Sequence, residues 1–415
     1  MHPRSFYPVI VALILLACGL AAPVSAVGLI QDWKEVPYGT GLFSGVAFSS
    51  DNNVVYAGGN QMLLRTWTGD RRWGGKAGTI AAMSADGNYV ISAVGDSVVM
   101  YDRDGIDLWT RNFDKRVRAV AIATNGSFVI EADDSGLVQS WARNGDFIGR
   151  NKTENVKSLK ISRDGSLVVM ATDAGLRFVT PALNPIWEDT KNGNWDELIA
   201  ISADSSTVIT AGGTRLSSHT PTGSLNWMKD ITTTAITDMA ASANCDVIVV
   251  GDQGGKVHLI NRFGLERLSY PAGQWVNAVG VSGDGRLIAA ASVERMLYVL
   301  DGNGNLAAQL KADNIIQPRS LAVSNDGRRI AFADQTNLLG FTVRQQPEIT
   351  PERTRLPTIR EPEPTVTATS VRETPREQPV QTTAPSPAPT KAGTGGFVAL
   401  AGIVLALLGF RGRDH

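Results

Sequence analysis

The sequence predicts an all-β fold, an eight-bladed β-propeller, with seven blades as the alternative. A phrase of alternating apolar residues that leads into Ser-x-Asp-Gly, or a degenerate form of it, recurs eight times in the 415-residue chain. Its Asp or Asn stands at positions 51, 86, 125, 164, 204, 244, 284 and 326, at intervals of 35 to 42 residues. A period near 40, with four short strands in each unit, is typical of a propeller. Turn pairs such as Asn144-Gly145 separate the strand-like segments, as tight hairpins require.

The chain begins with a predicted secretory signal, residues 1–26. His2 and Arg4 precede an apolar run that ends in small residues, and Val24-Ser25-Ala26 is the expected cleavage motif. An alternative lies in Leu15-Leu16-Ala17-Cys18, which is similar to a lipobox whose cysteine would be lipidated and become the mature N-terminus. Both alternatives predict an exported chain. Cleavage after Ala26 leaves Cys245 as the only cysteine, a small buried hydrophobe that forms no disulfide within the chain.

The propeller is predicted to cover residues 27–346. Several units close with Gly-x-x-x-Trp, as at Gly223 to Trp227, and a tryptophan there is expected to pack between neighbouring blades. The last unit contains only three predicted strands and ends near Phe341. Trp33 lies before the first unit, at the place where the missing closing strand would have its tryptophan. The N-terminal strand is therefore predicted to complete the last blade, which removes two open sheet edges.

These repeats give the chain a family resemblance. Residues 27 to 345 resemble the broad superfamily of WD-repeat-like, YVTN-like and PQQ-type quinoprotein propellers. The resemblance implies an architecture and not an activity, because such folds carry many unrelated functions.

The C-terminal part is predicted to extend and anchor the propeller. Residues 347–394 form a Thr/Pro-rich disordered stalk, since they contain 10 of the 19 prolines and no aromatic residue. Residues 395–410 are an apolar transmembrane or sorting helix, and the basic tail 411–415 is expected in the cytoplasm, which leaves the propeller outside at the cell surface. The order of stalk, Gly395-Gly396-Phe397, apolar helix and arginines resembles archaeosortase-type sorting signals, which are cleaved and replaced by a lipid anchor.

Charge and motifs exclude several classes of function. The formal net charge of -1 argues against a nucleic-acid partner, which would need a strongly basic surface. The propeller's two histidines, His219 and His258, are nearly a blade apart and lack further ligands at metal-binding spacing, so no metal and no cofactor is predicted. The stretch from Asp301 to Asn305 has the oxygen spacing of a calcium loop, but Leu306 replaces the required glycine, and we expect a hairpin turn.

The remaining candidate site is the surface opposite the Ser-x-Asp-Gly turns, which we call the rim. One group of rim residues precedes or begins the first strand of a blade and includes two tryptophans. The other group lies in the turns between second and third strands and is acidic. We therefore expect an acidic rim that contains aromatic side chains. The predicted binding residues are Arg116, Asn155, Trp195, Asp196, Trp275, Asn277, Gln317, Asp134, Asp173, Asp252 and Glu294. The turn carboxylates have a structural interpretation as well, since Asp in a turn usually binds backbone amides. Asn125 and Asn151 begin N-glycosylation sequons.

The sequence favours a surface-anchored, non-catalytic module that binds a protein, peptide or glycan. Two alternatives stay open. One is a quinone- or sugar-acting enzyme whose carboxylates converge from separate blades, as Asp134, Asp173 and Asp196 could. The other is an envelope assembly lipoprotein anchored through Cys18.

Overall fold

The computed structural model describes residues 27–36, 43–52, 54–69, 71–78, 80–189 and 198–345. This part of the chain forms 31 strands in eight antiparallel sheets and no helix. Among the described residues, no helix has the length and hydropathy needed to cross a bilayer. The predicted signal peptide, stalk, C-terminal helix and basic tail lie outside the described residues.

The eight sheets follow one another along the chain as blades. Blade 1 contains β2 (Phe43–Phe48), β3 (Val54–Thr66) and β4 (Arg71–Gly78). Blade 2 contains β5 (Ile80–Met83), β6 (Tyr89–Val94), β7 (Ser97–Asp102) and β8 (Asp107–Asn112). Blade 3 contains β9 (Val117–Ile122), β10 (Phe128–Asp133), β11 (Leu137–Ala142) and β12 (Phe147–Lys152). Blade 4 contains β13 (Val156–Ile161), β14 (Val168–Thr172), β15 (Gly175–Val179) and β16 (Pro185–Asp189).

The second half repeats the pattern. Blade 5 contains β17 (Leu198–Ile201), β18 (Val208–Gly212), β19 (Arg215–His219) and β20 (Leu225–Asp230). Blade 6 contains β21 (Ile236–Ala241), β22 (Ile248–Asp252), β23 (Lys256–Ile260) and β24 (Glu266–Pro271). Blade 7 contains β25 (Val276–Val281), β26 (Leu287–Ser292), β27 (Met296–Asp301) and β28 (Leu306–Lys311). Blade 8 contains β29 (Ile316–Val323), β30 (Arg329–Asp334) and β31 (Leu338–Gln345), and its fourth strand is β1 (Val27–Glu35). The eight-blade prediction is confirmed, and the seven-blade alternative is wrong.

The ring closes as predicted, by pairing the two ends of the propeller. β1 runs antiparallel to β31 from Val27 opposite Gln345 to Glu35 opposite Leu338. Trp33 packs over Gly340, where any Cβ atom would fall inside the indole ring. The Arg65 guanidinium of blade 1 lies 3.8 Å from the Trp33 ring centroid and forms a 3.0 Å ion pair with Glu35. β1 therefore joins the last blade to the first.

The hydrophobic core lies between the blades. In β10, Phe128 and Ile130 pack with Met170 of blade 4, whereas Val129 packs with Met100 of blade 2. Alternate residues of a strand point to opposite faces, and here both faces are covered by another sheet. For this reason the second strand of a blade is apolar almost throughout instead of alternating with polar residues.

The Ser-x-Asp-Gly phrase forms the turn between the first and second strands of each blade. In blade 4 the Ser162 hydroxyl donates to the Asp164 carboxylate (2.6 Å) and accepts from the Leu167 amide (2.9 Å). The fourth turn position has positive φ in all eight blades, which explains its preference for glycine. Cys245 holds that position in blade 6 with φ 58°; it is fully buried, and burial raises the pKa of its thiol to about 12.

The tryptophans of Gly-x-x-x-Trp link neighbouring blades, as predicted. The Trp227 indole N–H donates to the Arg262 carbonyl of the next blade (2.8 Å). Gly264 packs so closely on the Trp227 ring that an added Cβ atom would lie 2.7 Å from it. Trp109 makes the corresponding bond to the Arg143 carbonyl (2.9 Å). The glycine of each such turn thus provides the space that the preceding blade's tryptophan fills.

Candidate functional site

The fold brings the two predicted groups of rim residues together. The Asp134 amide donates to the Arg116 carbonyl oxygen (2.8 Å), and the Asp173 amide to that of Asn155 (3.0 Å). In blade 7 the Val293 amide donates to the Trp275 carbonyl oxygen (2.9 Å). In blades 3, 4 and 7 the turn between second and third strands is therefore tied to the segment that begins the first strand of the same blade. The backbone of the rim is fixed, and the side chains project from it.

Most of the predicted rim side chains are accessible. Arg116, Asn155 and Glu294 are exposed, and Gln317, inside β29, is half-buried. Trp275 is 50% exposed although it is large and apolar. An exposed tryptophan beside polar residues is a common feature of binding surfaces. Trp195 and Asp196 lie outside the described residues.

The rim carboxylates divide into two classes by their position in the turn. Asp252 occupies the first turn position and is 1% exposed. It accepts hydrogen bonds from the Lys256 amide (2.8 Å) and the Thr232 hydroxyl (2.6 Å), and it contacts His258 at 3.1 Å. Burial alone would raise its pKa, but these hydrogen bonds outweigh burial and lower it. Asp252 therefore stabilises the loops beneath the rim and is not part of the accessible surface.

Asp134 and Asp173 occupy the second turn position, and both are exposed. Each is paired with a base from the first strand of its own blade. Arg118 forms an ion pair with Asp134, and Lys157 forms one with Asp173 at 3.2 Å. The expected acidic field is therefore largely neutralised in blades 3 and 4. Each of these two carboxylates is thus engaged with a base of its own blade.

The bases that neutralise the rim share a structural position that the sequence analysis overlooked. The residue five before the motif serine is left unpaired by a β-bulge in the first strand of six blades. We call these the bulge residues: Ser44, Arg118, Lys157, Thr237, Asn277 and Arg319. All six are polar, although they lie in apolar strands. Bulges re-aim side chains and recur beside functional sites. Counting back from each motif serine would have revealed this set.

Asn277 differs from the other predicted rim residues because it is buried. It is 7% exposed, and its amide donates to the Ile316 carbonyl of blade 8 (2.5 Å). Within the described part of the chain, its side-chain oxygen has no hydrogen-bond donor. An unsatisfied buried acceptor costs about 1–3 kcal/mol. Asn277 thus links blades 7 and 8 beneath the rim and is not part of the accessible surface.

A cavity of about 530 Å³ lies beside the rim, between blades 2 and 3. Arg111, Phe113, Gln139 and Trp141 are among its lining residues, and the Arg111 guanidinium stacks 4.1 Å from the Trp141 ring centroid. Glu131 pairs with Gln139 across the strands of blade 3, so both side chains are on the face that points to blade 2. The wall of the cavity therefore combines aromatic and charged groups.

The opposite end of the central channel forms a second cavity, of about 380 Å³. All eight blades contribute to it, through the residues before and after each motif serine; Ile161, Arg163 and Val281 are among them. Backbone hydrogen bonds connect several neighbouring turns at this mouth, such as the Ala243 amide to the Gly283 carbonyl (2.9 Å). We call this end of the channel the turn mouth.

The two glycosylation candidates differ in accessibility. Asn125 is exposed, and its side-chain oxygen accepts the Ser127 amide (3.0 Å). Asn151 is half-buried, and its amide nitrogen donates to the Leu183 carbonyl of the next blade (3.0 Å). That nitrogen is the atom a glycan would modify, so the structure favours Asn125 as the more accessible of the two.

The predicted calcium-like loop is a turn, as expected. The Asp301 carboxylate accepts the backbone amides of Asn303 and Asn305, both at 2.9 Å. No group of three or more His, Cys, Asp or Glu side chains suited to a metal ion occurs among the residues that the structure describes.

Solved structures share this architecture, among them the following two. The C-terminal WD40 domain of Sif2 matches with a TM-score of 0.63 and 14% identity, over 76% of this chain and 98% of that domain. The computationally designed Ika8 protein matches with a TM-score of 0.62 and 15% identity, over 74% of this chain and 98% of that one. No protein-family model and no curated protein matches the chain. At such low identity the two matches show the fold alone, that of a WD-repeat-like β-propeller.

Proposed function

We propose that the chain is an exported, surface-anchored propeller that binds a protein, peptide or glycan through the rim, without catalysis. The observation that carries this proposal is the half-exposed Trp275 among the accessible Arg116, Asn155 and Glu294. The rim backbone is already fixed by hydrogen bonds between its two loops, so a ligand need not order it. Such preorganisation lowers the entropic cost of binding.

The rim is tested by replacing Trp275 with alanine. The full-length protein is immobilised, incubated with native envelope extract, and the retained molecules are quantified by mass spectrometry. Loss of a central tryptophan costs about 2 kcal/mol or more, so we expect the capture of specific ligands to fall by roughly 30-fold.

Phe263→Ala is the matched control for this experiment. Phe263 is 67% exposed and lies in a turn of blade 6 on the opposite face, so it removes an exposed aromatic away from the rim. Both variants should retain the wild-type unfolding midpoint. If Trp275→Ala captures the same molecules as Phe263→Ala, the rim is not the binding surface.

The location of the protein is proposed from the sequence, through the signal peptide, the stalk and the apolar segment 395–410. Mass spectrometry of the protein isolated from its own cells tests it at both ends. Cleavage after Ala26 together with membrane retention supports the proposal, and so does replacement of the C-terminal segment by a lipid. A lipidated Cys18 would favour an envelope assembly lipoprotein instead, and recovery in the soluble cell interior would contradict export.

A further inference from the structure

The first strands of the blades carry one exception to a strict pattern. Two residues before the motif serine, seven blades have a very small residue and blade 4 has a lysine, Lys160. The seven are Ala47, Ala82, Ala121, Ala200, Ala240, Gly280 and Ala322. Neighbouring first strands pack against one another around the channel, and a Cβ atom on Gly280 would already lie 3.1 Å from Val323 of blade 8. Only small side chains fit between strands this close, so the Lys160 chain has to extend into the channel.

The amine of Lys160 has no polar partner among the described residues. The side chain is exposed, but the surrounding blades limit its hydration and lower the pKa of its amine. Among the described carboxylates, Asp238 of blade 6, two blades away, counteracts this effect. Within the described residues, the Lys160 amine has no hydrogen bond and no ion pair. A lone cation held in this way gains most from a bound anion.

Asp238 does not supply that anion at close range. It is buried, and its two oxygens accept the backbone amides of Val279 (2.8 Å) and Met239 (2.9 Å). Burial raises its pKa to about 6 in spite of these bonds. It also lies within electrostatic reach of Arg319. Asp238 is therefore committed to the backbone of blades 6 and 7.

The approach from the rim does not repel an anionic chain. Among the bulge residues, Arg118, Lys157 and Arg319 are basic, and the other three are neutral. Arg118 and Lys157 are paired with rim carboxylates, which leaves this side close to neutral. The turn mouth is less suited, because it is surrounded by the motif carboxylates, such as Asp164, whose pKa the Ser162 and Ser166 hydroxyls hold well below its usual range.

We propose that the central channel binds the carboxylate group of an acidic peptide that enters from the rim, with the Lys160 ammonium as its counter-ion. Trp275 at the rim is of a residue type that dominates protein–protein hot spots, which favours a peptide over a glycan acid. This site names the ligand class of the proposed binding function and rests on that function.

The test uses the full-length protein and a fluorescein-labelled hexaglutamate peptide, with binding measured by fluorescence anisotropy. Hexaglutamine, which has the same length and no charge, should bind at least about tenfold more weakly, and added salt should weaken hexaglutamate binding. Lys160→Met should weaken hexaglutamate binding by at least about tenfold, and Lys160→Arg should restore part of it. Lys152→Met, which removes an exposed lysine from the outermost strand of blade 3, is the matched control and should bind as the wild type does.

A second measurement does not depend on the folding of any variant. In the wild-type protein with ¹³C-methylated lysines, hexaglutamate should raise the pKa of Lys160 as seen by NMR. Equal binding by hexaglutamine, unchanged binding by Lys160→Met, or an unaltered Lys160 titration would overturn the site. Tighter binding of oligogalacturonate than of hexaglutamate would overturn the assignment to a peptide. If these tests fail while Trp275→Ala still loses its captured ligand, the channel site is wrong and the rim function stands.

Discussion

Glu131 shows how much one residue can depart from its counterparts in the other blades. The equivalent positions hold Ser92, Met170, Thr210, Val250, Ala290 and Phe332, with Ala57 in blade 1. Glu131 is 1% exposed, and neither of its carboxyl oxygens has a hydrogen-bond partner among the described residues. Burial, with a smaller contribution from Asp133, raises its pKa to about 8. The carboxyl group is therefore protonated in the folded protein at neutral pH.

This raised pKa predicts how stability depends on pH. Above its ordinary pKa of 4.5, Glu131 loses its proton in the unfolded chain but keeps it in the folded one up to about pH 8. The unfolded state then binds fewer protons, so the free energy of unfolding falls by about 1.4 kcal/mol for each pH unit across this window and levels off above it. Glu131→Gln should remove this contribution, as measured by urea unfolding between pH 5 and pH 8.

Glu154→Gln serves as the control because Glu154 is exposed. Its stability profile should follow that of the wild type. Parallel profiles for Glu131→Gln and the wild type would show that Glu131 is not held in its protonated form.

At the scale of the element, the turn between third and fourth strands is sensitive to a single methyl group. Gly223 has φ +86°, and an added Cβ atom would lie 2.1 Å from the indole ring of Trp187 in the preceding blade. Gly213 also has positive φ, +59°, but nothing lies within 4 Å of its Cβ position. Comparing substitutions at these two glycines therefore separates the energetic cost of backbone strain from that of disturbing the contact between blades.

Gly213→Ala should therefore cost about 1 kcal/mol, for the backbone conformation alone. Gly223→Ala should cost roughly 1–3 kcal/mol more, because it also displaces the tryptophan that joins blades 4 and 5. Denaturant unfolding measures both. Equal losses would mean that the Trp187 contact contributes nothing to the stability of the ring.

These turns also show how much of the fold could be predicted from the sequence. The turn motif and the Gly-x-x-x-Trp unit are local patterns, so their period was sufficient to predict blade number, strand order and the role of the tryptophans. The accessibility of the rim carboxylates was harder to predict, because adjacent residues in one turn differ in burial: Asp133 is buried and Asp134 is exposed. Counting from each motif serine would have marked Lys160 and Glu131 as exceptions in the sequence. Their surroundings, an amine without a polar partner and a carboxyl group buried without one, follow only from the structure.

At the scale of the whole molecule, the pairing of β1 with β31 holds the ring together. Removal of residues 27–36 should leave β31 as an open edge strand and blade 8 without its link to Arg65. Exposed edges pair with other chains, so we expect self-association or loss of cooperative unfolding, measured by light scattering after gel filtration and by thermal unfolding.

A synthetic peptide of residues 27–36 provides the complementary measurement. Added to the shortened chain, it should restore the monomer by pairing with β31. Asp32→Ala is the mild control, since it removes only the exposed bond to the Thr342 hydroxyl (2.6 Å) and keeps the strand. A shortened chain that stays monomeric and unfolds as the wild type does would show that closure is dispensable.

The same pairing sets a time at which the protein can finish folding during its synthesis. β1 is made first, but its partner follows about 300 residues later, an interval on the order of 15–60 seconds at roughly 5–20 residues per second. Throughout that interval the first blade and the most recently completed blade each have an uncovered flank, and the first strand has nothing to pair with. Newly made chains therefore need a chaperone or a translocation channel to shield them until the final strand emerges.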